Sequence, residues 1–347
     1  MVLTNVILPV FFIIFLGFLL RKLGKVDLKT FSRAQLYILS PALAFMSLAK
    51  PEADTALLLR VLLFVVCVEA VLLGVTLGIG FMMKRGRAER QAMTLASILM
   101  NTGFYGIPVC VLAFGDWGLV YATIYMVASS VTQSTLGIFL ASAGHRSAKE
   151  ALGNVFKTPL LWSIVAARLL VYLDALPPKP LMKMIDMLGA SAIPIGLILL
   201  GMQLERIWLE SAAWRASLAG RGADFSIGEN HEGAAGGSAE GASAGATCEP
   251  GPGGVVELRR DISGGIAAAT IRIVGGLVVS YGLIQLFHFG ANMNQVLVVE
   301  SSMPTAVNAI VFATEYNCRP RLVAVGILAS TLASIVSITL ILKYLGA

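Results

Sequence analysis

The sequence predicts an all-α membrane protein with ten transmembrane helices, arranged as two inverted repeats of five helices. The 347 residues are 57% hydrophobic and only 13% charged, about half the charge of a soluble domain, where roughly 25% of residues are charged. Apolar stretches of about 20 residues, long enough to cross the hydrocarbon of a bilayer, recur along the chain. Basic residues gather in every second connection between them.

The apolar pattern divides into ten spans. We place them at residues 3–20, 34–49, 57–83, 91–114, 117–142, 158–176, 182–204, 262–287, 292–315 and 322–345. The first span carries its positive charges after the apolar run, so we read it as a membrane helix and not as a cleaved signal peptide. The second and seventh spans are weak because Ser40-Pro41 and Pro194 interrupt them.

The basic residues predict how the chain is oriented. They follow the odd-numbered spans, as Arg21, Lys22, Lys25, Lys29 and Arg33, then Lys84, Arg85, Arg87 and Arg90, then Arg146, Lys149 and Lys157, then Arg206, Arg259 and Arg260, then Arg319 and Arg321. Connections rich in Lys and Arg stay in the cytoplasm. We therefore expect a multi-pass protein of the cytoplasmic membrane with both termini outside the cytoplasm.

Ten spans divide into five plus five, and an odd number per half inverts the second half relative to the first. The first repeat would cover residues 1–157, and the second would cover 158–206 and 259–347. Residues 207–258 would form a cytoplasmic insert rich in Gly, Ala and Ser, a composition typical of flexible linkers. The insert is either a tolerated loop insertion without function or a regulatory segment.

Two spans contain residues that break helices near mid-membrane: Met100–Pro108 in the fourth span, and Ser301–Asn308 in the ninth. Paired interrupted spans indicate a transporter's binding site, because half-helix N-termini attract anions. The candidate substrate-binding residues are Asn101, Thr102, Gly103, Tyr105, Gly106, Pro108, Ser302, Pro304, Thr305 and Asn308. Alternatively, the prolines only kink packed helices. Ser40, Pro41 and Pro194 either flank the site or supply bends for it.

Four charged residues fall near the middle of predicted spans, where burial of a charge is costly and marks a functional hypothesis. They are Glu69, Arg168, Arg272 and Glu300. Arg272 and Glu300 could pair, which would stabilise the broken helix or respond to protonation, and proton coupling could pass through Glu69 or Glu300. Otherwise these residues form structural pairs or reach a water-filled vestibule. Proton coupling, sodium coupling and no coupling all stay open.

Other classes of function lack the residues they would need. The four cysteines and three histidines are scattered, so no metal or other cofactor is predicted. Neither paired aspartates nor a nucleophile with a base lies near mid-membrane, so no catalytic residue and no enzyme is expected. The net charge of +6 lies between spans and gives no nucleic-acid face. A non-translocating receptor or scaffold and a channel remain as alternatives.

Four motifs resemble the auxin efflux carrier family, which includes bacterial malonate-type transporters and plant auxin exporters. They are Ser-Pro-Ala-Leu-Ala-Phe (40–45), Asn-Thr-Gly-Phe-Tyr-Gly-Ile-Pro (101–108), Ala-Ile-Pro-Ile-Gly-Leu-Ile-Leu-Leu-Gly-Met-Gln-Leu (192–204) and the segment 300–317, which begins Glu-Ser-Ser-Met-Pro-Thr-Ala-Val-Asn. The resemblance covers nearly the whole chain except the insert. Asn308 is similar to the residue of bacterial members, whereas plant members tend to have an apolar residue there.

The resemblance implies ten helices in two inverted repeats, with helices 4 and 9 crossing at their breaks. It further implies a scaffold domain and a transport domain that move in an elevator-like way, and an organic-anion substrate such as malonate, malate or an auxin-like acid. Asn101 and Pro108 correspond to the crossover residues of helix 4, and Pro304 to that of helix 9. Related inverted-repeat carriers often form homodimers.

Overall fold

The computed structural model describes residues 2–24, 26–49, 55–141, 159–218, 254–315 and 318–346, and the regular structure in these ranges is helical. In chain order the helices are α1 (Leu3–Gly24), α2 (Leu28–Ala34), α3 (Ser40–Leu48), α4 (Thr55–Met82), α5 (Arg87–Ile98), α6 (Ile107–Ala141), α7 (Pro159–Tyr172), α8 (Lys179–Leu218), α9 (Gly254–Thr270), α10 (Gly276–Phe287), α11 (Ala291–Ser301), α12 (Asn308–Glu315) and α13 (Pro320–Leu345). Short π-helical turns join α2 to α3 (Gln35–Leu39) and α9 to α10 (Ile271–Gly275), and another (Thr102–Gly106) precedes α6.

Six helical stretches of the described chain are long and apolar enough to cross a membrane. They are Leu3–Gly24, Ala56–Met82, Thr102–Gln133, Lys179–Leu209, Glu257–Phe287 and Pro320–Leu345. They confirm the predicted all-α, multi-pass class, whereas the count of ten spans and the inverted repeats stay predictions. Most of the predicted insert, residues 219–253, lies outside the described residues. Its first part continues α8 as helix to Leu218.

A glycine divides α6 into two helices. Gly115 has φ 68° and ψ −145°, a conformation that side-chain-bearing residues rarely adopt. The chain folds back there, because Gly118 packs against the backbone of Cys110 and the rings of Phe114 and Trp117 lie 4.8 Å apart. Gly115 lies where the predicted fourth and fifth spans meet, and the division into two spans stays a prediction.

The helices pack as two groups. In the first helix group (α1, α2, α3, α7 and α8), α1 lies along α8, and α3 contacts both α7 and α8. Gly201 lets the backbone of α1 approach closely, since a Cβ there would lie 1.9 Å from the carbonyl oxygen of Ile14. The second helix group (α4, α5, α6 and α9–α13) surrounds the segments between α5 and α6 and between α11 and α12.

The two other prolines behave differently from the prediction. We expected Ser40-Pro41 and Pro194 to interrupt their spans, but α8 is continuous through Pro194 and the chain stays helical through Pro41. Gln35 donates to the carbonyl of Ala192, two residues before Pro194, and a π-helical turn precedes Pro41. A proline in a membrane helix can be accommodated by such side-chain hydrogen bonds and widened turns.

At one end of the second group, the buried carboxylate of Glu89 joins three helices. It accepts hydrogen bonds from the backbone N–H of Gly86 and from Arg260, and it lies 3.3 Å from Arg85 and 3.7 Å from Arg319. Burial opposes its ionisation, but the Gly86 N–H and the charges of Arg260 and Arg85 together lower the pKa of Glu89. The starts of α5, α9 and α13 are thereby tied together.

Candidate functional site

Both predicted breaks are present. Helix α5 ends at Ile98, and the backbone is extended at Leu99 before helical structure resumes at Thr102. Helix α11 ends at Ser301, and α12 begins at Asn308 after six non-helical residues, 302–307. Small polar residues occur at both positions, with Gly103 and Gly106 at the first and Pro304 at the second, and they lower helix propensity enough to stop the helix.

The two interruptions hydrogen-bond directly to each other. Met100 and Thr305 form an antiparallel bridge. The N–H of Asn101 donates to the carbonyl of Pro304 at 2.9 Å, and the N–H of Ala306 donates to the carbonyl of Leu99 at 2.8 Å. Backbone groups in hydrocarbon must be satisfied internally, and here each break satisfies the other.

Arg272 lies beneath this crossing and is fully buried. Its guanidinium donates to the carbonyls of Ser97 and Ile98 at the end of α5 and to the carbonyl of Ser301 at the end of α11. A cation is stabilised at helix C-termini, where unsatisfied carbonyls carry the negative end of the dipole. One side chain therefore caps both broken helices.

The expected pair between Arg272 and Glu300 is absent, since no salt bridge joins these two described residues. Glu69 on α4 interacts electrostatically with Arg272, although no salt bridge joins these two described residues either. The carboxylate of Glu69 is fully buried and accepts a hydrogen bond from the hydroxyl of Thr132 at 2.9 Å. Arg168 lies elsewhere and donates to the carbonyl of Leu48.

Most of the predicted hydroxyl groups bond to the protein itself. Thr305 donates to the carbonyl of Ala96, and Ser302 donates to the carbonyl of Val298. Thr102 shares a hydrogen bond with Ser129, and the Tyr105 hydroxyl accepts one from Ser334. These side chains hold the crossing together, and all four are buried.

The two asparagines differ from the other predicted residues. The side-chain amides of Asn101 and Asn308 form no hydrogen bond within the described part of the chain, whereas most of the polar side chains around them do. Asn101 directly precedes the turn Thr102–Gly106, and Asn308 is the first residue of α12. Each side-chain amide therefore stands at the N-terminal start of a second half-helix, where the positive end of the helix dipole favours an anion.

A cavity of about 180 Å³ opens beside Asn308. Its polar lining residues are Ser130, Gln133 and Asn308, and the other lining residues are Leu36, Val127, Val131, Leu160, Leu161, Ile164 and Phe312. Leu36 and the α7 residues belong to the first helix group, whereas α6 and α12 belong to the second. The cavity, called the inter-group cavity below, thus lies between the two groups.

Sequence reasoning missed Gln133 and Ser130. The Gln133 amide donates to the carbonyl of Met100 at 3.0 Å, so it connects the cavity to the crossing. The polar residues of the run Ser129–Gln133, within an apolar span, could have indicated them. The predicted site rested only on the two proline-containing motifs. Asn101 is not among the residues that line the cavity. In the described ranges, His, Cys, Asp and Glu residues form no group that could hold a metal ion.

Comparisons with known proteins agree with this geometry. A family model described as "Membrane transport protein" matches residues 2–152 and 238–342. An uncharacterised transporter of Methanothermobacter thermautotrophicus is 25% identical over 342 residues, covering 97% of this chain and 96% of its own. An uncharacterised transporter of Methanocaldococcus jannaschii is 23% identical and covers 98% of both chains. A Rhizobium meliloti protein, provisionally named a malonate transporter, is 28% identical over 217 residues, 58% of this chain and 66% of its own.

Proposed function

The chain belongs to the membrane transport protein family, and from this membership we propose that it is a secondary transporter that moves a small organic anion by an elevator-type, alternating-access mechanism. The match confirms the resemblance to auxin efflux carriers that the four motifs indicated. The family and the names of the relatives indicate a multi-pass membrane transporter and not an enzyme.

The proposal rests on two side-chain amides, those of Asn101 and Asn308, which form no hydrogen bond in the described part of the chain and belong to the crossing of two broken helices. Asn101 and Asn308 each stand where a half-helix begins, so an anion there would meet neutral donors and two positive dipole ends. A carboxylate held only by neutral groups can also be released, which a carrier needs. The inter-group cavity beside Asn308 gives such a ligand a place to lie.

The division into two helix groups supports the elevator mechanism. The crossing, Arg272 and both asparagines all belong to the second helix group, whereas α7 and Leu36 close the cavity from the first. If the second group slides along the first, the anion moves with the crossing and exchanges one aqueous side for the other. We assign the second group as the transport domain and the first as the scaffold.

We further propose ten spans in two inverted repeats, with the cytoplasmic face at the basic connections and both termini outside. Two equivalent starts support this. Helix α5 follows Gly86 (φ −65°, ψ 166°) and α11 follows Gly290 (φ −65°, ψ 157°), and the two half-helices are 12 and 11 residues long. Internal repeats of this kind place the substrate site near mid-membrane.

Counterflow in proteoliposomes tests the function. Vesicles loaded with unlabelled malonate, malate or an aromatic acetic acid should take up the same labelled acid transiently above equilibrium. Asn101→Ala and Asn308→Ala should abolish this uptake while the purified protein keeps its melting temperature, and the exposed Asn5→Ala serves as the matched control. Non-saturable flux without counterflow would indicate a channel, and binding without flux would indicate a receptor; either result rejects the carrier. Wild-type flux in both asparagine variants would reject the assigned site.

A further inference from the structure

Glu300, the last residue but one of α11, is a buried carboxylate with few hydrogen-bond donors around it. Its side chain is fully buried. Oε1 accepts a weak hydrogen bond from Sγ of Cys110 at 3.6 Å, and Oε2 has no hydrogen-bond partner in the described part of the chain. The carboxyl lies against Gly106, and a Cβ on that residue would be 2.1 Å from Oε2.

The charged and titratable groups around Glu300 do not compensate a negative charge. Cys110 and Tyr125 face it from α6, but a thiol is a weak donor and the Tyr125 hydroxyl bonds to Ser301 and Met100. Arg272, between α9 and α10, is directed to backbone carbonyls, including that of Ser301. Glu69 on α4 is itself acidic, and the Ser330 hydroxyl of α13 is neutral and accepts from the N–H of Thr305.

An ionised carboxylate buried without a partner is strongly disfavoured, so such a group takes up a proton instead. Glu300 is therefore a neutral carboxylic acid in this conformation. Glu69 differs in having one donor, since the Thr132 hydroxyl bonds to its Oε1, whereas its Oε2, like that of Glu300, has no hydrogen-bond partner in the described part of the chain.

We propose that Glu300 is the proton-binding site through which a pH gradient drives this carrier, an inference that rests on the proposed transport function. The proton is held on the carboxyl group while the crossing is closed. When the transport domain reaches one aqueous side, the O–H bond breaks, the proton passes to water as hydronium, and the carboxylate remains. Water on the other side returns one proton to the same oxygen pair.

The surroundings favour a proton over sodium. A hard cation needs several oxygen ligands at once. In the described part of the chain the Cys110 thiol is the hydrogen-bond partner of the Glu300 carboxyl and Gly106 packs against it, and neither side chain offers an oxygen ligand. Glu300 also lies one residue from Ser301, whose carbonyl Arg272 caps, so movement of the crossing changes its access to water.

Infrared difference spectroscopy of the purified protein tests the protonation state without any transported substrate. Wild type at neutral pH should show the C=O stretch of a protonated carboxylic acid, and Glu300→Gln should lose the component that belongs to Glu300. Glu69→Gln, a control at another buried glutamate, should keep that component. Cys110→Ala, which removes the thiol donor, should shift the band and covers the case that Glu300→Gln does not fold. A spectrum unchanged by Glu300→Gln, or a band that ignores Cys110→Ala, would overturn the assignment.

Proteoliposomes with an internal pH-sensitive dye test the coupling. If one proton moves per anion, a gradient of one pH unit supports about tenfold accumulation, and Glu300→Gln should abolish it while counterflow at equal pH continues. Accumulation that survives in Glu300→Gln, or that needs sodium instead of a pH gradient, would refute the coupling. If wild type shows no counterflow with any acid, the proposed function fails, and the infrared result still decides the protonation of Glu300.

Discussion

Arg272 donates a hydrogen bond to the backbone carbonyl of Ser301, the last residue of α11. The same guanidinium also reaches the carbonyls of Ser97 and Ile98, so one buried charge satisfies the ends of two separate helices. Arginine suits this task because its planar fork offers five donors that point in fixed directions. The crossing thus depends on a residue that lies outside both broken segments.

Arg272→Met should destabilise the protein strongly. The substitution leaves the carbonyls of Ser97, Ile98 and Ser301 without their donor, and each buried polar group left without a hydrogen bond costs about 1–3 kcal/mol. Arg272→Lys should recover only part of this, since an ammonium cannot span both helix ends. Thermal unfolding in detergent measures the effect, with the exposed Arg33→Met as control. Equal melting temperatures for Arg272→Met and Arg33→Met would contradict the capping role.

Asn308→Asp should impair transport of an anion more than Asn308→Ser does. A carboxylate at the start of α12 repels the substrate, and like charges brought together cost several kcal/mol, so the apparent affinity should fall by at least about tenfold. Serine keeps a neutral donor in place. The saturation curve of labelled uptake gives both values. The proposed site would be wrong if aspartate and serine reduced affinity equally.

Gly201→Ala should loosen the first helix group. The added methyl group would overlap the carbonyl oxygen of Ile14, and overpacking of this kind costs about 1–3 kcal/mol. Gly282→Ala is the matched control, because its Cβ meets open space and alanine stabilises a helix by about 0.5–1 kcal/mol relative to glycine. The melting temperature should fall for Gly201→Ala and rise for Gly282→Ala. If both variants shifted it in the same direction, the close approach of α1 to α8 at Gly201 would be contradicted.

Glu89→Gln should remove a pH-dependent part of the stability. Because folding lowers the pKa of Glu89, its contribution is fully present above the unfolded value of about 4.3 and disappears as the pH falls through the lower folded value. The difference in melting temperature between wild type and Glu89→Gln should therefore be large at pH 6–7 and shrink below about pH 4.3. A difference that stays constant from neutral to acidic pH would argue against the network at the starts of α5, α9 and α13.

The interruptions could be predicted because they depend on local chemistry. Asn101 and Pro108 frame one cluster of poor helix formers, and Ser302 and Pro304 begin the other. The same reasoning failed at Pro194, where one proline stands alone and α8 runs through it. A lone proline costs little when neighbouring turns and side chains compensate for it, and those neighbours are brought together only by the fold.

Partners across the structure could not be predicted from spacing. Arg272 and Glu300 are 28 residues apart and lie on neighbouring elements, but the carbonyls at two helix ends attract the guanidinium instead. Gln133 likewise gains its role only because α6 folds back at Gly115 and brings it to the carbonyl of Met100. Such contacts arise from tertiary packing and leave no periodic signal in the sequence.

The backbone bonds between Leu99 and Ala306 and between Asn101 and Pro304 have a consequence for the empty protein. After a carrier releases its substrate, it returns empty to the other side of the membrane. If backbone groups at the site were hydrogen-bonded only by the substrate, they would have no partner in hydrocarbon during that return. Here these backbone groups are hydrogen-bonded to each other whether or not a substrate is bound. The hydrogen bonding of the backbone is therefore the same when the empty protein returns as when it moves with substrate. Net transport in one direction and exchange are thus both compatible with this site.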